Sequence, residues 1–263
     1  MVQRLAHPRR LRLGDQVAGL LLAAIRLHEY LPGQRLPTER ELCLRFGVNR
    51  MAVREGLRWL ENEQYVEIRR GKYGGAFVCQ PARDLVLERV RARAQQLRQL
   101  FEYRGVVEPF ACALAAERIT SSELDRLGAL IAAEADEPVR AKRRALDEEV
   151  HQIIADSARN DYFSQAVREI RIQLALGLDL IQSSPQRNKE SHREHIRILK
   201  TLSAGDGSAA RQAMHRHVMS TEREIRRSLV ELGVRAELDG RPSSGDPDDR
   251  VGRLAGAEIR MPE

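Results

Sequence analysis

The sequence predicts a mainly α-helical protein with an N-terminal winged helix-turn-helix, which includes a small β wing, and a C-terminal all-α helical bundle. Residues 36–78 combine helix caps, a glycine turn and a glycine-rich hairpin tip, whereas residues 84–233 keep a helical periodicity. Aromatic residues are 4% of the chain and hydrophobic residues 42%, which favours aliphatic helix packing over a β-sandwich. We predict domains at residues 1–80 and 81–235 and a disordered tail at 236–263, where few apolar residues remain.

The first two helices are predicted from an apolar stripe and a cap. The stripe predicts a helix at about residues 14–28 and consists of Val17, Leu20, Leu21, Ala24 and Ile25. Thr38 and Glu41 form a T-x-x-E capping box, so a short helix begins there. Leu42 and Phe46 stand four apart and give that helix one buried face.

A second short helix follows a tight turn. Gly47 permits the left-handed conformation that ends the preceding helix, and Asn49 is a favoured N-cap. The helix at residues 49–63 has an apolar stripe of Val53, Leu57 and Leu60. A basic edge beside it consists of Arg50, Arg54 and Arg58. Two helices, a turn and these arginines predict a helix-turn-helix whose second helix reads DNA.

A hairpin after the second helix predicts the wing. Residues 66–68 alternate like a strand, and residues 76–78 are the expected partner strand. The tip between them is basic and glycine-rich, with Arg70, Gly71 and Lys72 at its centre. Glycine lets the backbone approach phosphates closely and the cations replace counterions, so the tip is predicted to bind DNA. The alternative is a small helical domain whose arginines only face water.

The stretch PGQRLPTERELCLRFGVNRMAVREGLRWLE resembles the DNA-binding signature of GntR-type transcription regulators, of the FadR-type subfamily. The resemblance covers about eighty residues. It implies DNA contacts by the residues at the family's contact positions, which are Arg40, Asn49, Arg50, Met51 and Arg54. It also implies that Gly71 in the wing approaches the groove. Asn49 stands where the family more often has serine or threonine, and this departure affects the operator sequence.

The charge is unevenly distributed along the chain. Residues 1–80 contain fourteen Lys/Arg and eight Asp/Glu, so the whole net charge of +6 lies there and the remainder is neutral. A basic arm at residues 1–12 can contact the DNA backbone or have no role. The first domain is therefore expected to bind nucleic acid, and the second to bind something else.

Cysteine content and hydropathy predict a cytoplasmic protein. Cys43, Cys79 and Cys112 are odd in number and lack a C-x-x-C pair, which argues against a disulfide framework and a cysteine zinc site. The chain contains neither an apolar run of the ~18 residues that a membrane span needs nor a signal peptide at its N-terminus.

The second domain is predicted to consist of helices only. Capping patterns begin three of them, with Thr120 followed by Glu123, Ser184 followed by Pro185, and Asp206. The helices are predicted at residues 84–118 with a break near Arg98, 121–136, 138–157, 161–182, 185–204 and 207–233.

Histidines cluster in this domain. Of the seven in the chain, five lie between residues 151 and 217. Asp147 and His151 stand four apart on one predicted helix, and His195 and His217 fall on the apolar faces of two others. Inward imidazoles and a carboxylate from three helices are a typical way for a bundle to bind a divalent metal. The alternative is a set of buried side chains with structural partners.

The neutral domain also resembles the FCD effector-binding domain found behind many GntR-type DNA-binding domains. The matching segments are FEYRGVVEPFACALAAERIT, ALDEEVHQIIADSARN, SHREHIRIL and AARQAMHRHV. The resemblance implies that the family's D-x-x-x-H is Asp147 and His151 and that the other two ligands are His195 and His217, with His192 and His215 as near alternatives. It implies zinc most often, although nickel and manganese also occur.

Arginines near this cluster suggest an anionic effector. The resemblance places Arg104 on the wall of the ligand cavity, where a buried guanidinium needs an anion. With a metal, it would bind a small carboxylate metabolite; the alternative is an internal ion pair with Glu108. Arg140 and Arg144 either line the pocket or face water, and we expect them to face water.

The sequence therefore predicts a homodimeric transcription regulator, more often a repressor in this family, that binds a pseudo-palindromic operator and responds to a small carboxylate. One alternative is a metal-dependent hydrolase with a DNA-binding appendage, although no catalytic motif is found. Another is a metal-free sensor of an acyl ligand on the same fold.

Overall fold

The structure is a computed structural model that describes residues 12–181 and 184–233. The predicted basic arm lies almost wholly outside the described residues, and so does the predicted disordered tail. The described residues form two compact units, one made mainly of residues 32–80 with the first helix and the other mainly of residues 81–233. Among the described residues, no helix is long and apolar enough to cross a membrane.

The N-terminal unit has the predicted order of elements. It contains α1 (Leu13–Arg26), α2 (Glu39–Phe46), α3 (Arg50–Asn62), β1 (Val66–Arg69) and β2 (Gly75–Val78). The two strands pair antiparallel, with Val66 opposite Val78 and Arg69 opposite Gly75. Helix α1 ends earlier than predicted because His28 adopts a left-handed φ of 57°. The winged helix-turn-helix is thus present, with a two-stranded wing.

The capping signals of the sequence operate as predicted. Thr38 and Glu41 form the reciprocal capping box of α2, and Gly47, at φ 63°, ends the helix. The Asn49 side chain accepts the Ala52 amide at 2.9 Å and so begins α3. The apolar stripe of α3 is buried, whereas Phe46 on α2 is only half-buried. These local bonds fix the angle at which α3 leaves the turn.

The second unit is built from helices alone within the described residues. It contains α4 (Arg83–Arg91), α5 (Ala94–Arg118), α6 (Ser121–Asp136), α7 (Arg140–Ser157), α8 (Asp161–Leu180), α9 (Pro185–Ser203) and α10 (Gly207–Glu231). The predicted break near Arg98 is wrong, since the chain breaks at Ala92 and Arg93 instead. Arg98 lies inside α5 because Ala94 and Phe101 belong to one buried face that continues past it.

Two apolar clusters fill the bundle, and α5 and α10 contribute to both. One lies mainly among α4, α5, α8 and α10. The other lies among α5, α6, α7, α9 and α10 and includes Ile131, Val150, Ile154, Ile198 and Met214. Helices α7, α9 and α10 of this second cluster carry the predicted metal ligands, so those ligands are surrounded by apolar side chains.

Candidate metal centre and nucleic-acid interface

Three helices bring the predicted aspartate and histidines together inside the bundle. Asp147 and His151 lie one turn apart on α7, His195 lies on α9 and His217 on α10. The spacing of four on α7 directs both side chains to the same face. One potential ligand atom from each residue can be chosen so that all four lie within 4.8 Å of one another. The three rings are buried.

The distances inside this cluster suit a divalent ion. His151 Nε2 lies 3.1 Å from His217 Nε2, and Asp147 Oδ1 lies 3.5 Å from His195 Nε2. Zinc binds nitrogen at ~2.0–2.1 Å, which separates tetrahedral ligands by about 3.4 Å. The buried Nε2 of His195 has no hydrogen-bond partner among the described residues. A nitrogen and oxygen donor set with an unpartnered imidazole nitrogen therefore fits a metal ion of the zinc type.

A glutamate stands behind each histidine on the side away from the cluster. Glu108 Oε2 on α5 lies 2.7 Å from His151 Nδ1, and Glu134 Oε2 on α6 lies 2.8 Å from His195 Nδ1. Glu194 Oε2 on α9 lies 3.0 Å from the third ring at His217 Nδ1. A carboxylate at Nδ1 favours the tautomer with the proton on that atom, which leaves Nε2 with a lone pair directed inwards. All three imidazoles are thus oriented as ligands.

An ion-pair chain holds the aspartate. Arg171 on α8 donates from Nη2 to Asp147 Oδ2 and from Nε to Glu148 Oε2, the latter at 2.5 Å. Arg144 donates to the other oxygen of Glu148 at 3.0 Å. Because Arg171 occupies Oδ2, the oxygen that faces the histidines is Oδ1. The guanidinium therefore selects which carboxylate oxygen is available to an ion.

The electrostatic environment sets the protonation of these groups. Burial lowers the pKa of His151 to about 4 and that of His217 to about 3, so both are neutral near pH 7. Burial also opposes a charge on His195, but the Glu134 carboxylate outweighs it and raises the pKa of that ring. Burial would raise the pKa of Asp147, yet Arg171 holds it well below its usual value. Two neutral imidazoles and an ionised carboxylate are the forms that bind metal.

The sequence analysis did not assign these supporting residues. Glu134 lies seven residues after Leu127 and three after Ile131, on the buried face of α6. Glu108 lies on the buried face of α5, four residues after Arg104. A charged residue at an apolar position of a helix stripe was the available signal, since such a residue needs a buried partner. Arg171, on α8, gave the same signal.

A small cavity adjoins the cluster. Its volume is about 100 Å³, and Asp147, Glu134 and His217 contribute to its wall. Five arginines also line it, namely Arg140, Arg143, Arg144, Arg171 and Arg187. The expectation that Arg140 and Arg144 face water is therefore wrong. Both lie in the first two turns of α7. Arg140 Nη2 donates to the carbonyl oxygens at the end of α8, and Arg144 binds Glu148.

Arg104 and the extra histidines lie elsewhere. Arg104 is 1% exposed, its Nε donates to Glu108 Oε1 at 2.6 Å, and it does not line the cavity. This geometry is the internal ion pair that the sequence left open, and contact with an effector stays a prediction. His192 is partly buried and His215 is exposed, and neither belongs to the cluster of four.

The predicted DNA-binding residues all lie on the surface of the N-terminal unit. Exposed residues of α2, the turn and α3 are Arg40, Asn49, Arg50, Met51 and Arg54, and those of the wing are Arg70, Gly71 and Lys72. Arg54 Nε contacts both carboxylate oxygens of Glu39 at 3.0 Å. Gly71 has a φ of 100°, a backbone angle that residues with a side chain rarely adopt, so the tip of the wing requires glycine there.

Two family models match separate parts of the chain. Residues 13–78 match the family described as bacterial regulatory proteins, gntR family, and residues 99–220 match the FCD domain. The galactonate operon transcriptional repressor of Escherichia coli is 29% identical over 209 residues, which are 75% of this chain and 90% of that protein. The transcriptional repressor NanR of Cronobacter sakazakii is 29% identical over 233 residues, which are 80% of this chain and 84% of that protein.

A solved structure has the same fold. Escherichia coli McbR/YncC superposes with a TM-score of 0.53 at 18% identity and covers 82% of this chain and 98% of its own. The relatives are transcription regulators, which rejects the hydrolase alternative. Together with the winged helix-turn-helix and the helical bundle, these matches show that the chain belongs to the GntR family of transcription regulators and carries an FCD domain.

Proposed function

We propose that this regulator binds operator DNA as a homodimer in the cytoplasm and that a small carboxylate metabolite, bound beside a zinc ion in the bundle, changes its affinity for the operator. Repression is the expected sign, since the two curated relatives described above are named repressors. The observation that carries the proposal is the cluster of four ligand atoms with a glutamate behind every histidine. Such outer carboxylates are typical of metal-binding histidines.

Each residue of the cluster has a distinct role in this proposal. His151, His195 and His217 donate their Nε2 lone pairs, and Asp147 donates Oδ1. Arg171 keeps that aspartate ionised and correctly turned. A bound divalent ion supplies a positive centre on which the carboxylate of the effector can be held. Nickel or manganese are alternatives that the donor set also permits.

The cavity volume supports a small effector. Typical ligand pockets have volumes of ~300–1,000 Å³, and the present cavity has about 100 Å³. A compact acid suits that space better than a long acyl chain, which would extend out of the cavity into solvent. The volume therefore favours a compact acid.

The N-terminal surface supports recognition of double-stranded DNA. Arg50 and Arg54 are exposed on α3, and in this proposal they contact base edges or phosphates of the major groove. In this proposal Arg40, Asn49 and Met51 contact the same half-site, while Arg70, Gly71 and Lys72 of the wing approach the neighbouring backbone. A dimer would place two such surfaces on a pseudo-palindrome.

Effector and operator must be coupled energetically. A ligand changes operator affinity only if it binds the DNA-competent arrangement of the dimer and the alternative arrangement with different affinities. The effector lies in the bundle and the operator on the N-terminal domain. The coupling is therefore expected to appear as reciprocal changes in the two affinities.

Metal analysis with a matched pair of variants tests the proposal. The double variant His151→Ala/His217→Ala should lose the bound ion, whereas His215→Ala should keep it, because His215 lies on the same helix but is exposed. Metal content would be measured by elemental mass spectrometry, and DNA binding on an operator selected from random duplexes, with and without small carboxylates. Stoichiometric metal and an unchanged carboxylate response in the double variant would show the sensing proposal to be wrong.

A further inference from the structure

With a divalent ion on the cluster, the cavity would carry more positive charge than one carboxylate can neutralise. Five arginines line it, against the two carboxylates of Glu134 and Asp147. Glu148 and Glu194 add two acids behind the wall, where they face Arg144, Arg171 and Arg187, and Asp179 is a fifth acid beside Arg140 and Arg144. These acids balance the arginines, so a divalent ion would leave an excess positive charge of two. Like charges at this density are costly unless a ligand brings negative charge.

Two of these arginines also have buried nitrogen donors that make no hydrogen bond to the described residues. Nε of Arg144 and Nη1 of Arg187 are shielded from solvent and have no hydrogen-bond partner among the described residues. Glu194 Oε2 lies 3.8 Å from Arg187 Nη1, which is too far for a hydrogen bond. Buried donors of this kind are normally satisfied. Both nitrogen atoms belong to arginines of the cavity wall, so a ligand in the cavity would lie beside these two residues.

Arg140, Arg143 and Arg187 do not contact the four residues of the cluster directly, whereas Arg171 holds Asp147 and Arg144 binds Glu148 beside it. Arg140 and Arg143 lie on the first turn of α7, where they donate to carbonyl oxygens of Leu178, Asp179 and Glu137. Arg187 lies on the first turn of α9. Asp147 and His217 contribute to the same cavity from the cluster side. One cavity, which is partly open to solvent, is therefore lined by potential metal ligands, Asp147 and His217, and by arginines.

We propose that the effector carries two anionic groups, one that binds at the Asp147/His151/His195/His217 cluster and a second, a carboxylate or a phosphate, that binds at Arg143, Arg144 and Arg187. This inference rests on the proposed metal site and defines the chemical class of its ligand. Planar guanidinium groups recognise either anion through paired hydrogen bonds. A cavity of about 100 Å³ limits the spacer between the two groups to a few atoms.

The test compares acids that differ only in the second anionic group. 2-Hydroxybutyrate and malate share an α-hydroxy carboxylate end and a four-carbon chain, and malate adds the second carboxylate. 3-Phosphoglycerate keeps the α-hydroxy carboxylate and replaces the second carboxylate with a phosphate. Binding to the full-length, zinc-loaded protein would be measured by isothermal titration calorimetry. We expect at least one of the two dianions to bind ~10-fold or more tightly than 2-hydroxybutyrate, and the stronger of them identifies the second group.

Variants assign the second group to the arginines of the cavity wall. Arg143→Gln and Arg187→Gln should reduce the affinity for the preferred dianion to within ~3-fold of that for 2-hydroxybutyrate, while the affinity for 2-hydroxybutyrate and the zinc content stay unchanged. Lys142→Gln removes the same charge from an exposed position of α7 and should preserve the preference.

Three results would overturn the inference: equal affinities for all three acids, no binding of any of them to zinc-loaded protein, or an equal loss for the monoacid and the dianion in the arginine variants. Zinc content separates these results from a failure of the proposed function. A wild-type protein that binds no zinc would refute the metal site itself, whereas zinc-loaded protein without a dianion preference refutes only the second anionic group.

Discussion

The two domains use charged side chains in opposite ways. On the surface proposed to read DNA the cations are exposed, and Arg54 retains 58% of its side-chain accessibility even though it pairs with Glu39. In the bundle the cations are enclosed, and Arg171 retains 3% while it binds both Asp147 and Glu148. Exposed pairs contribute little to stability and can exchange partners, whereas a buried charge needs its partner permanently. The difference separates residues available to an outside ligand from residues that fix a site.

The largest effect should follow from removal of a buried cation. Arg171→Met leaves the carboxylates of Asp147 and Glu148 without their strongest partner in an enclosed site. We expect the free energy of unfolding to fall by about 3–5 kcal/mol, measured by urea denaturation of the metal-free protein. Arg54→Met is the control and should leave the unfolding midpoint unchanged. Similar losses for the two variants would contradict the contrast between the domains.

Loss of an exposed cation should affect DNA binding instead. Arg54→Ala should weaken operator binding by roughly 5- to 150-fold at fixed salt, because an arginine on the reading helix contacts a base edge or a phosphate. Its thermal stability should stay close to that of the wild type. Arg223→Ala removes the same charge from an exposed position of α10 and is the control for net charge. Equal operator affinities for Arg54→Ala and wild type, measured by fluorescence anisotropy, would remove Arg54 from the interface.

Removal of the carboxylate that contacts a proposed metal-binding histidine should weaken metal binding without abolishing it. Glu134→Gln removes the carboxylate that faces His195 Nδ1 at 2.8 Å. We expect the zinc dissociation constant to rise by roughly 10- to 100-fold, measured by competition with a chromophoric chelator. Asp136→Asn, an exposed residue of the same helix, should leave the constant unchanged. An unaltered constant in Glu134→Gln would mean that the outer carboxylates have no part in metal binding.

The smallest expected effect is the change of the zinc association constant with pH. His151 and His217 have pKa values of about 4 and 3, so only His195, whose pKa is raised, has a proton to release near neutral pH. The zinc association constant should therefore rise by at most ~10-fold per pH unit between pH 5 and pH 7. Three ordinary histidines with pKa ~6.5 would give a slope approaching three logarithmic units below pH 6. Chelator competition at several pH values distinguishes the two slopes.

The same pKa shifts predict how the metal-free protein responds to acid. The lowered pKa values of His151 and His217 contribute stability above pH ~6.5, and this contribution disappears as the pH falls towards 4 and 3, because the unfolded chain binds the protons first. His195 acts in the opposite direction, since its contribution is complete below pH ~6.5 and is lost as the pH rises through its raised pKa.

The sequence predicted features that depend on near neighbours. The capping boxes at Thr38 and Thr120 and the N-caps at Asn49, Ser184 and Asp206 involve residues within one turn, and the structure contains all of them. The spacing of Asp147 and His151 likewise predicted a shared face. Elements whose signals are local could therefore be located to within about two residues, and the fold class followed from them.

Features that depend on distant neighbours could not be predicted in this way. Helical periodicity placed Arg140 and Arg144 near the start of α7 but did not indicate that α8 and α9 would enclose them around a cavity. The contact of Glu194 could not be predicted for the same reason, since its partner His217 lies on another helix, 23 residues along the chain. Such contacts are set by tertiary packing, which residue spacing within one helix does not specify.

The consecutive residues Glu194 and His195 give α9 an unusual position. Successive side chains on a helix diverge by about 100°, so one residue approaches the outer nitrogen of the ring on α10 while the next enters the cluster. Rotation of α9 about its axis, or translation along it, would move Glu194 away from His217 and His195 away from the cluster at the same time. Helices α9 and α10 are thus linked through residues in and beside the proposed metal site, so a shift of either helix would disturb the proposed coordination.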